Sequence, residues 1–240
     1  MIDIIKQKLT DKNSFKIVYL GDSITSSAWL HPNWRDIIEY VLEDKLMEEF
    51  KDWKIPSWGI RHINSGFDGS TSQDWLDKVQ TQVINYNPDL VIVMGTSNDS
   101  LLKITPQQHS ENIRKLLDEL EKAVDNIVFC TDIVGGKDEL NQTYEPYFEE
   151  LVKVFPHNKV HFLNLYKELE KYDVSKFFTL INNFGNPANN LKPGEIDFVH
   201  PNVLGNAYIA KIILEQVFGI DFNPEKYLED LSKSIMFPRY

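Results

Sequence analysis

Ser23, Asp197 and His200 have the side-chain types that acyl transfer requires: a nucleophile, a base for its proton, and a group that orients the base. Ser23 follows a short apolar run ending in Gly21-Asp22. Its hydroxyl can therefore project from a strand-to-helix turn, with its backbone N–H at a helix start where partial positive charge gathers. Imidazole is the side chain whose ordinary titration lies nearest neutrality, so His200 is suited to take the Ser23 proton and return it to a leaving alcohol. Asp197, three residues earlier, reaches the other ring nitrogen within a single turn, where it would fix the tautomer and stabilise the imidazolium. The negative oxygen formed during attack needs donors, and three are available: the Ser23 N–H, the N–H of Gly66 or Gly69, and the Asn98 amide. Ser97 has no amide, and Asp99 only accepts when ionised.

Each of these residues also has an ordinary explanation. Ser23 could cap a helix, Asp197 and His200 could open one ahead of Pro201, and the glycines and Asn98 could serve turns. Their joint presence decides for chemistry, because independent turns would not supply every role once.

The elements that must carry these residues alternate in a βαβ rhythm. Apolar runs at 15–20, 60–64, 89–94, 126–131 and 159–163 read as five parallel strands, each buried on both faces. Between them, Trp34, Ile37, Ile38, Val41, Leu42, Leu46 and Phe50 make one helical stripe, and Trp75, Leu76, Val79, Val83 and Tyr86 another. Thr105 followed by Pro106 announces a third helix, with Ile113, Leu116, Leu117 and Leu120 on its inner face. A helix at about 205–218 closes the core, and 219–240 reads as a tail packed outside. The whole is one α/β domain over 1–240, doubly wound in three layers, α/β/α, around a five-stranded parallel sheet, with its crevice at the carboxyl ends of the strands.

Four stretches fall at those ends: Gly21-Asp22-Ser23-Ile24-Thr25, then Asn64-Ser65-Gly66-Phe67-Asp68-Gly69-Ser70-Thr71, then Gly95-Thr96-Ser97-Asn98-Asp99, and lastly Asp197-Phe198-Val199-His200-Pro201. In order and spacing they resemble the blocks of the SGNH hydrolases, the GDSL esterase and lipase family, over about 15–218. The resemblance implies the family's flavodoxin-like fold and a serine esterase with a triad of Ser23, Asp197 and His200. It also implies an oxyanion hole of Ser23, Gly69 and Asn98. Gly69 is preferred to Gly66 because Gly69-Ser70-Thr71 is similar to the family's Gly-Asp-Thr, here with serine in place of the acid. The third block departs from Gly-x-Asn-Asp by one added residue.

Substrate contacts are expected from Asp22, Trp29 and Asn183. Trp29, His31 and Trp34 could form an aromatic wall, although Trp34 also begins a core stripe. The amide-rich 182–190 stretch, Asn182-Asn183-Phe184-Gly185-Asn186-Pro187-Ala188-Asn189-Asn190, could hydrogen-bond hydroxyls, which points to short acyl esters, acetylated carbohydrate among them. A lysophospholipase or thioesterase of the same family, and an inactive carbohydrate- or protein-binding domain on the same scaffold, are the competing readings. Asp22 more simply braces the Ser23 turn. A metal hydrolase built from Asp22, Asp99 and His200 is a weaker alternative, and no metal or cofactor is expected, since protein groups fill every role. His31, His62, His109, His157 and His161 lack ligand spacing and are expected to be structural or exposed.

A net charge of −11 would repel a nucleic-acid backbone, so no nucleic-acid partner is expected. Cys130 is the only cysteine, which excludes an intrachain disulfide. The first residues show no secretory signal and no apolar run approaches the ~20 residues of a membrane span, so the expected location is cytoplasmic.

Overall fold

In the computed structural model, which describes residues 1–26, 28–95, 97–155, 157, 159–187 and 190–240, the apolar runs form one parallel sheet. Thr96 of the third block, and Ala188 and Asn189 of the amide-rich stretch, lie outside the described residues. The strands are β1 (Phe15–Gly21), β2 (Ile60–Gly66), β3 (Leu90–Met94), β4 (Ile127–Cys130) and β5 (Val160–Leu163), in the order β2-β1-β3-β4-β5. The order reverses direction at β1, so a crevice opens between the carboxyl ends of β1 and β3. In that register Gly21 lies beside Gly66 on one side and Met94 on the other.

The helices are α1 (Ile2–Thr10), α2 (Trp34–Phe50), α3 (Lys54–Gly59), α4 (Ser72–Gln82), α5 (Ser97–Leu101), α6 (Pro106–Ala123), α7 (Asp138–Val152), α8 (Leu165–Leu169), α9 (Val203–Ile213) and α10 (Pro224–Ser232). Side-chain alternation divides β1 between two cores. Ile17 and Tyr19 face the cluster built with α2 (Trp34–Phe50) and α9 (Val203–Ile213). Val18 and Leu20 face the cluster built with α4 (Ser72–Gln82) and α6 (Pro106–Ala123). The central strands β3 and β4 are buried throughout, as continuous apolar runs require. The outer strands correct the expectation of five strands buried on both faces. Arg61 and Asn64 of β2 and His161 of β5 are exposed, because an edge strand has a neighbour on one side only.

Helix starts follow local chemistry. Asn33 with Asp36, and Thr71 with Asp74, form reciprocal capping boxes at α2 and α4, while Thr105 caps α6 with Pro106 in its first turn. Beyond α9 a π-helical turn, Leu214–Phe218, leads to α10 (Pro224–Ser232), and Ile220, Phe222 and Tyr227 join the larger core cluster.

The crevice is lined by turns that pass unusually close to one another. A Cβ on Gly66 would sit 2.5 Å from the Ser26 nitrogen and 2.7 Å from the Thr25 carbonyl carbon. Both are backbone atoms of the turn that carries Ser23, and they cannot swing aside as a side-chain tip could. Gly66→Ala should therefore destabilise the protein by about 1–3 kcal/mol through overpacking, read as a lower urea midpoint at unchanged m value. An unchanged midpoint would show that the turn can yield.

Candidate active site

Ser23 lies in a tight turn after β1, where the Asp22 carbonyl accepts from Thr25 N at 3.1 Å and from Ser26 N at 2.9 Å. The expected α-helix start is not at Ser23. A single turn stands there, and α2 begins at Trp34 under its own Asn33 cap, so any positive field at Ser23 comes from local N–H groups. Buried groups hold the turn from behind. Trp34 Nε1 donates to the Ile24 carbonyl at 3.1 Å, Asn33 Nδ2 to the Ser26 carbonyl at 2.9 Å, and Arg35 Nε to the Thr25 carbonyl at 2.5 Å. Trp34 is thus a core residue rather than part of an aromatic wall.

Asp22, expected also as a substrate contact, is only 1% exposed. Its carboxylate accepts from Ile24 N at 3.0 Å, and a Cβ on Gly95 would come within 2.8 Å of it. It therefore braces the Ser23 turn and cannot face a substrate. Gly95, at φ +118, both adopts a backbone conformation that favours glycine and leaves room for that carboxylate.

His200 arrives from the far end of the chain. Its Nε2 is 2.8 Å from Ser23 Oγ, and its Nδ1 is 2.9 Å from Asp197 Oδ2. Asp197 and His200 are both buried. The other carboxylate oxygen of Asp197 accepts from Val199 N at 2.9 Å and His200 N at 3.0 Å. Burial pushes the Asp197 carboxyl up, but hydrogen bonds from the His200 ring and the two backbone N–H groups, with the histidine's charge, outweigh it and hold it at about 2. Asn206 of α9 ties the two halves together, its Nδ2 donating to the Pro201 carbonyl at 2.9 Å and its Oδ1 accepting from Trp34 N at 3.0 Å. Trp29 stacks on one face of the His200 ring, at 4.0 Å between centroids and 6° between planes.

The second and third blocks meet in front of this pair. Asn98, in α5 (Ser97–Leu101), donates through Nδ2 to the Ser70 carbonyl at 3.0 Å. Phe67 N and Ser70 Oγ donate to the Gly21 carbonyl at 3.0 and 3.3 Å. Gly69 is exposed at φ +70 with open space where a side chain would stand, whereas Gly66 is packed against the Ser23 turn. Of the two glycines, Gly69 is therefore the one a substrate can approach.

Two buried carboxylates that sequence reasoning did not place in these roles hold α5. Asp132, just after β4, accepts from Ser97 N at 2.6 Å and Ile133 N at 2.7 Å, and burial raises its carboxyl above the ordinary value. Asp99 accepts from Ser72 N and from His109 Nδ1, both at 2.8 Å, joining α4, α5 and α6. Asp99 is turned into the protein, away from the crevice, so it and Asp22 do not form the alternative metal site with His200. Among the described residues no group of three or more His, Cys, Asp or Glu is placed to hold a metal ion. Only the general pattern of polar residues after parallel strands signals these braces in the sequence.

A groove of about 380 Å³ is lined by Trp29, Asp68, Leu180, Asn182, Asn183, Phe184 and Asp197. Two of the expected substrate contacts, Trp29 and Asn183, are thus on it. No helix among the described residues is long and apolar enough to cross a membrane.

Comparison with known proteins identifies the family of the chain. The model of the GDSL-like lipase/acylhydrolase family matches residues 19–208, and the chain belongs to that family of ester hydrolases. An acetylxylan esterase of Geobacillus stearothermophilus is 24% identical over 225 residues, covering 84% of this chain and 93% of the relative. Among solved structures, an acetylxylan esterase from Geobacillus stearothermophilus has a TM-score of 0.61 at 20% identity, covering 85% of this chain and 94% of that one. A lipase/acylhydrolase from Enterococcus faecalis also has a TM-score of 0.61, at 19% identity over 85% and 96% of the two chains. At these identities the likeness establishes the shared fold.

Two buried groups contribute to the acid side of stability. Tyr19 OH lies 2.8 Å from Nδ1 of His62, whose buried Nε2 has no hydrogen-bond partner among the described residues; burial, with Arg35 nearby, lowers the ring from 6.5 to about 3. Below pH 6.5 the unfolded chain takes up that proton while the folded one does not, so stability falls from about 6.5 down to about 3. Asp197, lowered from 3.8 to about 2, adds stability above 3.8 that is lost as pH falls through 2. Urea midpoints measured from pH 7 to 2 should therefore fall in both windows. His62→Gln should flatten only the upper window and Asp197→Asn only the lower; slopes unchanged in either variant would remove that assignment.

Proposed function

We propose that this GDSL-like hydrolase cleaves short-acyl esters of carbohydrate through a covalent acyl-serine, with Ser23 as nucleophile, His200 as general base and acid, and Asp197 as its orienting carboxylate. The observation that carries the reading is the continuous hydrogen-bonded line from Ser23 Oγ to His200 Nε2 and from Nδ1 to Asp197, at 2.8 and 2.9 Å. In the first half-reaction His200 removes the Ser23 proton as Oγ attacks the ester carbonyl. The tetrahedral oxygen is met by the N–H groups of Ser23 and Gly69 and the Asn98 amide, and the imidazolium then protonates the departing alcohol. In the second half His200 deprotonates a water that attacks the acyl-serine, and Ser23 leaves with its proton restored.

Asp197 stays ionised throughout, because the groups that hold its carboxyl at about 2 also keep it negative beside the developing imidazolium. Trp29 keeps the ring in plane. Asn98 has its second amide hydrogen to offer, since a side-chain amide carries two and one is given to Ser70. The carbohydrate part rests on two supports: the acetylxylan esterase relative, and a groove in which Asn182, Asn183 and Asp68 stand among apolar neighbours. A long acyl chain would cut the Asp68 carboxylate and the Asn183 amide off from water, which disfavours a lysophospholipase or thioesterase.

A fluorophosphonate probe should label Ser23, and Ser23→Ala and His200→Ala should each lower kcat on an acetyl ester by at least about 10³-fold. Asn98→Ala should lose about 10²–10³-fold in kcat with little change in KM, as expected for a group acting on the transition state. Hydrolysis that survives Ser23→Ala would defeat the mechanism.

A further inference from the structure

Folding alone does not explain the hairpin made by β6 (Ile181–Asn182) and β7 (Glu195–Ile196), which are paired antiparallel. At its near end Phe184 is 93% exposed, although an apolar ring of that size is stabilised by burial. The residue is nevertheless held in place. Phe184 N donates to Asn182 Oδ1 at 3.0 Å, and Gly194 N donates to the Asn182 carbonyl at 2.8 Å. Asn186 and Leu191 exchange both backbone hydrogen bonds, at 2.8 and 2.9 Å. Gly185, at φ +72, makes the turn, and a Cβ there would strike the Leu191 carbonyl at 2.7 Å.

The anchor of this hairpin reaches the triad. Asn182 is buried, and its Nδ2 donates to Asp197 Oδ2 at 3.3 Å, the oxygen that also faces His200 Nδ1. Asp197 N, in turn, donates to the Leu180 carbonyl at 2.8 Å. One amide side chain therefore sets both the backbone of Phe184 and the carboxylate of the triad. Phe184 and Trp29 line the groove together with Asn183 and Asp68. A flat apolar face among amides and a carboxylate matches a pyranose ring, which offers C–H groups on its faces and hydroxyls around its edge.

We propose that residues 181–187 form a sugar-recognition arm, in which Phe184 stacks on a ring of the substrate's alcohol portion and Asn182 is the positioning residue that keeps the arm in register with Asp197. The proposal rests on the carbohydrate-ester reading, and binding measurements separate the two. Inert Ser23→Ala protein should bind xylotriose. Adding Phe184→Ala should raise Kd about tenfold, and Phe184→Trp should restore it to within about threefold. In otherwise native protein, Phe184→Ala should lower the ratio of kcat/KM for acetylated xylotriose to that for ethyl acetate about tenfold, through KM. Asn182→Ala should lower that ratio too and also reduce kcat on ethyl acetate, because Asp197 loses a donor.

An unchanged Kd and ratio in Phe184→Ala overturn the arm while leaving the serine mechanism intact. Failure of the Ser23→Ala protein to bind xylotriose overturns both arm and carbohydrate reading, with Ser23-dependent turnover of ethyl acetate still standing. Hydrolysis of ethyl acetate that survives Ser23→Ala defeats the mechanism instead, and the xylotriose titrations then judge the arm alone.

Discussion

The structure depends on one contact, the 2.8 Å approach of His200 Nε2 to Ser23 Oγ across a sequence separation of 177 residues. A hydrogen bond of this kind tolerates only a few tenths of an ångström of misplacement, so both ends must be held by rigid parts. On the serine side these are the end of β1 and three buried donors from Asn33, Trp34 and Arg35. On the histidine side they are the Asp197 turn and α9. Asn206 links the two supports through Trp34 N and the Pro201 carbonyl, so α2 and α9 are tied to each other behind the site.

Buried carboxylates do much of the remaining positioning. Removing an ionised carboxylate from water costs several kcal/mol unless donors replace the solvent. In this protein the donors are backbone N–H groups of the turns that must be placed: Ile24 for Asp22, Ser97 and Ile133 for Asp132, Ser72 for Asp99, and Val199 and His200 for Asp197. Each acid is thus satisfied only when its turn has the observed shape. The cost of desolvation becomes conformational specificity at the strand ends, where regular sheet hydrogen bonding has stopped and the backbone would otherwise be free to choose.

The same economy reaches the substrate side. Trp29 contacts the His200 ring and lines the groove, and Asn182 contacts the Asp197 carboxylate and the backbone of Phe184.

What was legible in the sequence was whatever depends on local periodicity or on residue type. The five strands, the stripes of α2, α4 and α6 and the Thr105 cap follow from alternation and capping preference, and the candidate chemistry of Ser23, Asp197 and His200 from residue type together with the resemblance of four ordered stretches to the family's blocks. Tertiary structure decided everything that depends on which distant atoms become neighbours. It turned Asp22 inward under its own loop, made Gly66 a packing residue and left Gly69 open, and placed Asp132 beneath α5. It left the edges of β2 and β5 half covered and laid Trp29 flat on His200. The physical reason is that a side chain's period reports the face it presents, whereas burial, contact and charge environment belong to the pair it forms. For these residues the partners lie up to 177 positions away along the chain.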